Sequence, residues 1–132
     1  MRTVLLGGLL LLLSSSCGSS PLAPSNTSQF VGMWQNVNPQ TLGLPQISIR
    51  TQGNVVYVHA WGSCVPTLCD WGEVTATSTS GNLQAVYDQS IAIRTMTLTL
   101  SNGQLQSDVH SHYIDGSGRA DNDVTDVFNK AS

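Results

Sequence analysis

The residues best suited to chemistry in this chain lie between positions 59 and 72, in the tract HAWGSCVPTLCDWG. A disulfide between Cys64 and Cys69 would clamp a hairpin tip that contains Pro66, with a stabilisation of roughly 2 kcal/mol in the chain-entropy description. Because a clamped loop loses little entropy on binding, the tract predicts a rigid binding loop. Its predicted contact residues are Trp61, Trp71, Asp70 and Pro66.

The two tryptophans of this tract are expected to face opposite sides of a sheet. If the two cysteines lie opposite each other, Trp61 pairs with Gly72 and Trp71 pairs with Gly62. Side chains alternate across a strand, so one indole would pack inside and the other would be exposed beside the loop. The alternative is that both indoles pack at the rim of the domain.

A metal site is the competing interpretation of these residues. Cys-x4-Cys is within the spacing used for zinc, and His59 or Asp70 could add ligands. His110 and His112 lie two apart, which places both on one face of a strand. A second cysteine pair is missing, and exported thiols tend to oxidise. The sequence therefore predicts no metal and no cofactor. In the alternative, a metal site, His59, His110 and His112 are the candidate ligands.

Catalytic signatures are weak. The chain has no Gly-x-Ser-x-Gly, and Ser117 lies between glycines in a predicted hairpin turn, without the strand-to-helix elbow of a catalytic serine. In the acidic stretch 115–126 the glycines are misplaced for an EF-hand loop and the final Glu is missing, so the stretch predicts a hairpin turn followed by a solvated acidic strand. The chain is therefore expected not to be an enzyme. Tyr57 and Arg94 complete the predicted contact set. If the strand face of His110 and His112 points inward, which the sequence leaves open, these histidines would line a polar pocket with Arg94, which shares a strand face with Met96.

Charge and length narrow the function classes further. The 132 residues suit one domain. Eight acidic against five basic side chains give a formal charge of -3. The basic residues are scattered singly, whereas nucleic-acid binding needs clustered Lys and Arg. No nucleic-acid partner is expected.

The N-terminus predicts export. Arg2 precedes an apolar run over 4–13, three serines and Cys17, and this pattern is typical of a secretory signal peptide over 1–16. The segment is similar to the lipobox of bacterial lipoproteins, although Leu13 lies four residues before the cysteine where that family has three. The resemblance implies a lipidated Cys17 and anchoring at a membrane of the bacterial envelope, expected to be the outer membrane. The alternatives are an uncleaved anchor and ordinary cleavage near Ser16.

The cysteine count agrees with this interpretation. An odd cysteine in an exported protein needs an explanation. Lipidation of Cys17 leaves Cys64 and Cys69 as an even pair that an oxidising compartment would join. Residues 17–28 are rich in Gly, Ser and Pro and predict a flexible tether.

The rest of the chain, 29–132, predicts an all-β domain. Period-two sequence recurs between turn signals about every ten residues. The clearest strand spans 91–100, and Asn102-Gly103 after it is a strong hairpin signal. Eight short strands joined by tight turns favour an antiparallel up-and-down barrel, because closure removes the exposed edges. A two-sheet β-sandwich is the alternative.

Gly32-x-Trp34 on the first strand resembles lipocalins and, more loosely, avidins. The resemblance implies a calycin-type barrel in which Trp34 closes one end. Lipocalins also pack an Arg from the end of the last strand over that Trp. Here Arg119 is placed at the start of a last strand over 119–129, so that feature is expected to be absent.

These observations together predict an envelope-anchored binding module. It would recognise a protein or carbohydrate partner through barrel-end loops. Because small lipoprotein barrels resemble bacterial inhibitors of lysozyme or proteases, hydrolase inhibition is a concrete form of this prediction. The alternatives are a lipocalin-like or avidin-like barrel for a small ligand and a metal-binding envelope protein.

Overall fold

The computed structural model describes residues 26–131, which form a closed barrel of eight antiparallel strands in simple up-and-down order. The strands are β1 (Gly32–Asn36), β2 (Gln46–Gln52), β3 (Val55–Gly62), β4 (Cys69–Thr79), β5 (Asn82–Gln89), β6 (Ala92–Ser101), β7 (Gln104–Tyr113) and β8 (Asn122–Lys130). β8 pairs with β1 and closes the sheet. The predicted all-β barrel is confirmed, and the alternative β-sandwich is wrong.

The predicted signal peptide over 1–16 and the lipidated Cys17 lie outside the described residues. The predicted tether over 17–28 is described only from residue 26, where a 3-10 helix, Asn26–Phe30, begins. No helix within residues 26–131 has the length and apolar character to cross a membrane.

The period-two pattern of the sequence places alternate side chains inside and outside the barrel. On β6, Met96 and Leu98 are buried, while Thr97 between them faces outward. On β7 the buried positions are Leu105, Ser107, Val109 and Ser111. Burial of these inward side chains provides the main driving force that closes the sheet.

One end of the barrel, here called the closed end, carries the two-residue turns 53–54, 80–81 and 102–103. Asn102 and Gly103 have φ values of 53° and 77°, as a type I′ turn requires. Ser80 and Gly81 adopt the same combination, with φ values of 51° and 84°. The predicted hairpin at Asn102-Gly103 is confirmed.

Trp34 seals the closed end. It is 2% exposed, and its indole N–H donates to the carbonyl oxygen of Phe30 at 2.7 Å. Lys130, at the end of β8, places Nζ 5.0 Å from the centre of the Trp34 ring. Gly32 has a φ of 140°, and a Cβ there would lie 3.2 Å from the Lys130 side chain. Among the described residues, no arginine takes the place over this Trp that the lipocalin pattern gives it, and Lys130 from the last strand lies there instead.

Side chains fill the interior above Trp34. The largest fully buried ones include Tyr87, Phe128, Ile47, Ile49, Leu83, Met96, Leu98 and Leu105. The Tyr87 hydroxyl donates to the carbonyl oxygen of Val58 at 2.7 Å, and burial raises the pKa of this phenol. This part of the barrel is a packed core.

The opposite end, here called the open end, carries the connections 37–45, 63–68, 90–91 and 114–121. The last of these is longer than the sequence predicted, because β8 begins at Asn122 rather than Arg119. Arg119 stays in the loop, where its guanidinium donates to Asp115 and lies 4.0 Å from the centre of the Tyr113 ring. Hydrogen bonds from Ser117 and Arg119 lower the pKa of Asp115 to about 2.

Candidate functional site

A cleft of about 340 Å³ opens at the open end of the barrel. Two connections border it, 37–45 through Leu42 and 63–68 through Cys64, and strand residues form its floor. Its polar and aromatic lining comes from Trp71, Arg94, Ser111, Asn122 and Asp126. Ligand sites in proteins are usually concave and begin at about this volume.

Trp71 reaches this cleft through a β-bulge. The register shifts between Ala60 and Trp61, so that Ala60 pairs with Gly72 and Trp61 with Asp70. The extra residue on β4 is Trp71, and a bulge of this kind re-aims a side chain. Gly72 permits the bulge with a φ of 83°.

This register corrects the predicted pairing of Trp61 with Gly72 and of Trp71 with Gly62, which assumed an unbroken ladder. The predicted division of faces is nevertheless confirmed. Trp71 packs against the core, with its ring 5.5 Å from that of Tyr87, and Trp61 lies on the outer face. Gly62 makes room for the inward indole, since a Cβ at Gly62 would lie 2.7 Å from its nitrogen.

Arg94 points into the same cleft from β6. Its guanidinium carbon lies 5.1 Å from the centre of the Trp71 ring. Its Nε donates to Gln89 at 2.7 Å, and Nη1 donates to the Ser111 hydroxyl at 2.9 Å. Met96 on the same strand face is buried, so this is the inward face, whereas His110 and His112 point outward. The predicted polar pocket that would combine Arg94 with the two histidines is therefore not formed. The two predicted contact residues Trp71 and Arg94 are thus brought together.

Asp126 holds the 37–45 connection over the cleft. This carboxylate is 8% exposed and accepts hydrogen bonds from the Asn36 amide, the Thr41 hydroxyl and the Leu44 backbone N–H, at 2.8, 2.8 and 3.0 Å. Gly43 lies so close that a Cβ there would collide with the carboxylate. The predicted solvated acidic strand is therefore wrong at Asp126, whose side chain points inward on β8. Only the period-two spacing from Phe128 could have indicated this.

The disulfide loop forms another border of the cleft. Cys64 and Cys69 are bonded, with Cα atoms 5.4 Å apart, as predicted. Pro66 is exposed within this loop, and its peptide bond with Val65 is cis. The Ser63 backbone N–H donates to the carbonyl oxygen of Gly43 at 3.0 Å. This bond ties the disulfide loop to the connection that Asp126 holds.

A second group of predicted residues lies outside the barrel, next to the disulfide loop. The rings of His59 and Trp61 stack at 3.9 Å between centres. Asp70 lies 2.5 Å from His59 Nε2 and accepts a hydrogen bond from the Gly72 backbone N–H. The Gly72 bond, followed by that of His59, lowers the pKa of Asp70. Tyr57 is separate from this group, on the outer face beneath Arg50.

His110 and His112 also face outward. His110 bonds to Asp123 at 2.8 Å and to Asp121 at 3.1 Å, and His112 bonds to Asp121 at 2.8 Å. Asp123 first and Asp121 second raise the pKa of His110. Within residues 26–131, no group of three or more His, Cys, Asp or Glu side chains is arranged to hold a metal ion.

The barrel architecture is compatible with a calycin-like domain. The chain matches no protein-family model, no curated protein and no solved structure.

Proposed function

We propose that this chain is an exported, lipid-anchored protein of the bacterial envelope that binds a partner protein through the open end of its barrel. The distribution of exposed apolar side chains is the observation that carries the partner-binding part of this proposal, and the anchoring part rests on the N-terminal sequence. Six of the ten large exposed apolar side chains among the described residues lie in the four connections of the open end: Val37, Leu42, Val65, Leu68, Ile91 and Ile114.

These six side chains form the rim of the open end, and two of them are almost fully exposed. Leu42 and Val65 are each 95% exposed, on connections that border the cleft from different strands. Exposed apolar surface with a polar surround is typical of protein interaction sites. At the closed end, the three tight turns consist of Gly, Asn and Ser. The connections of the open end thus expose apolar side chains, whose burial drives association, and the tight turns of the closed end do not.

The rim is also ordered before any partner arrives. The disulfide fixes the 63–68 loop, and Ser63 ties it to the 37–45 connection. The Ile114 backbone N–H donates to the carbonyl oxygen of Ile91 at 2.9 Å and joins the other two connections. Because these segments are already ordered, binding costs less conformational entropy.

A protein fits this surface better than a carbohydrate. The rim side chains are aliphatic, and the Trp71 ring is already in contact with Arg94 and Tyr87. Inhibition of a hydrolase is a concrete form of the proposal, in which the enzyme receives the clamped loop. It predicts that the oxidised protein slows a lysozyme or protease and that the Val65→Asp variant does so less.

A small ligand held in the cleft is the second candidate. The cleft volume of about 340 Å³ favours it, since small-molecule sites span about 300–1,000 Å³. The core beneath the cleft is filled by side chains such as Tyr87 and Met96. A ligand would therefore lie at the mouth and not deep in the barrel.

Capture of partners from envelope and host extracts tests the proposal. Leu42→Asp and Val65→Asp should each reduce capture at least tenfold, because a charge would be buried at the interface. Val86→Asp is the matched control, since Val86 is 51% exposed on the outer face of β5. Equal capture by the wild type and all three variants would contradict binding at the open end.

The anchor is tested separately through Cys17. Replacement by Ser should abolish incorporation of labelled fatty acid and release the protein from the membrane fraction, because one thiol carries the attachment. Cys64→Ser with Cys69→Ser is the control and should remain membrane-bound. Unchanged labelling of Cys17→Ser would contradict lipidation.

A further inference from the structure

Arg94 brings a positive charge to the cleft without an acidic partner. No carboxylate among residues 26–131 lies within 4.0 Å of its guanidinium. Its two hydrogen bonds go to the neutral side chains of Gln89 and Ser111. Burial of a cation without a counter-charge costs free energy of folding. The position of Arg94 therefore indicates a functional role.

Asp126 lines the same cleft but forms no ion pair with Arg94. One Asp126 oxygen accepts from Asn36 and Thr41, and the other accepts from the Leu44 backbone. The carboxylate is therefore committed to holding the 37–45 connection. The charge of Arg94 remains available to a group from outside.

The guanidinium also has unused donors in a fixed plane. Arginine has five N–H groups, and Arg94 uses one on Nε and one on Nη1 within the described residues. Its contact with Trp71 and its bond with Ser111 hold the plane in place. A planar fork of this kind matches the two oxygens of a carboxylate.

We propose that Arg94 binds a carboxylate that the partner protein inserts into the cleft as an Asp or Glu side chain. This inference rests on the proposed function and adds the chemistry of the recognised group. Leu42 lines the cleft, and Val65 and Leu68 are exposed on the disulfide loop that borders it. A partner that covers these side chains would exclude water from the ion pair. Exclusion of water strengthens a charge-assisted hydrogen bond.

The first experiment uses the oxidised full chain in detergent and a soluble probe. N-acetylglutamate amide is titrated while the 1H–15N signals of Arg94 Nε and the Trp71 indole are followed. We expect saturable shifts with a millimolar dissociation constant, and shifts at least tenfold smaller with N-acetylglutamine amide. Equal responses to the acid and the amide would overturn the proposal, and this comparison requires no variant to fold.

The second experiment measures partner capture by Arg94→Gln and Arg94→Lys. Loss of charge-assisted bonds should weaken capture about tenfold or more in Arg94→Gln, with a smaller loss in Arg94→Lys, which keeps the charge. Arg50→Gln is the control, because Arg50 pairs with Glu73 on the outer face.

The outcomes separate this inference from the proposed function. If Leu42→Asp abolishes capture and Arg94→Gln does not, the open end binds the partner but the carboxylate proposal is wrong. If neither variant changes capture, both are wrong. In a third outcome, the soluble acid binds through Arg94 but Arg94→Gln leaves partner capture unchanged. The carboxylate would then belong to a free small ligand, which overturns its assignment to the partner.

Discussion

The carboxylate of Asp126 accepts a 2.8 Å hydrogen bond from the hydroxyl of Thr41, which lies 85 residues earlier in the chain. The pair joins the last strand to the connection that borders the cleft. Two further donors, from Asn36 and the Leu44 backbone, converge on the same side chain. The mouth of the barrel is therefore built around one buried acid.

Replacement of Asp126 by Ala should destabilise the protein by about 3 kcal/mol. Hydrogen bonds to a charged acceptor contribute about 1.5–3 kcal/mol each, and the buried donors of Thr41 and Leu44 would be left unpaired. Urea unfolding measures the loss, and Asp88→Ala, at an exposed position of β5, is the control. A change below about 0.5 kcal/mol in Asp126→Ala would contradict this role.

Replacement of Lys130 by Ala should cost about 1 kcal/mol, the typical strength of a cation–π contact at an accessible site. Lys130→Arg keeps a cation over the ring and should lose little. Quenching of Trp34 fluorescence by acrylamide should increase in the Ala variant alone. If both variants quench like the wild type, Lys130 does not cover the indole.

Removal of the disulfide should destabilise the protein by roughly 2 kcal/mol while the barrel stays folded. The closed ring is short, so it constrains the unfolded chain only modestly. The double variant Cys64→Ala with Cys69→Ala is compared with the wild type by chemical unfolding and far-ultraviolet circular dichroism. Loss of the β-sheet signal in the double variant would show that the bridge supports the whole fold.

The pKa of His110 should lie above its ordinary value of 6.5, because Asp123 and Asp121 bond to its ring. The stabilisation from this pairing is complete below pH 6.5 and disappears as the pH rises through the folded pKa. NMR titration of His110 measures this value. Asp123→Asn should lower it, whereas Asp88→Asn should not; a pKa at or below 6.5 in the wild type would contradict the pairing.

Local signals predicted most of the fold. The alternation around Met96 and Leu98 and the Asn102-Gly103 turn act over a few residues, so the sequence displays them directly. The placement of Trp34 also followed from a local motif. Closure of β8 against β1 followed from the number of strands and the shortness of the turns.

The site was predicted less completely because its contacts are long-range. Trp71 and Arg94 were identified as contact residues, but the bulge that turns Trp71 inward changes the register by one residue, and Gly72 was its only local signal. The role of Asp126 depends on donors more than eighty residues away. Lys130 reaches Trp34 only after the barrel closes, so its position along the sequence gave no indication of the contact.

Site-specific crosslinking tests the central claim, partner binding at the open end, most directly. A photoreactive amino acid replaces Val65 in one protein and Ser80, in a closed-end turn, in the other. Both proteins are irradiated in the same envelope and host extracts. The open-end interpretation predicts a discrete covalent adduct from position 65 and none from position 80. Adducts from position 80 alone, or equally from both positions, would contradict it.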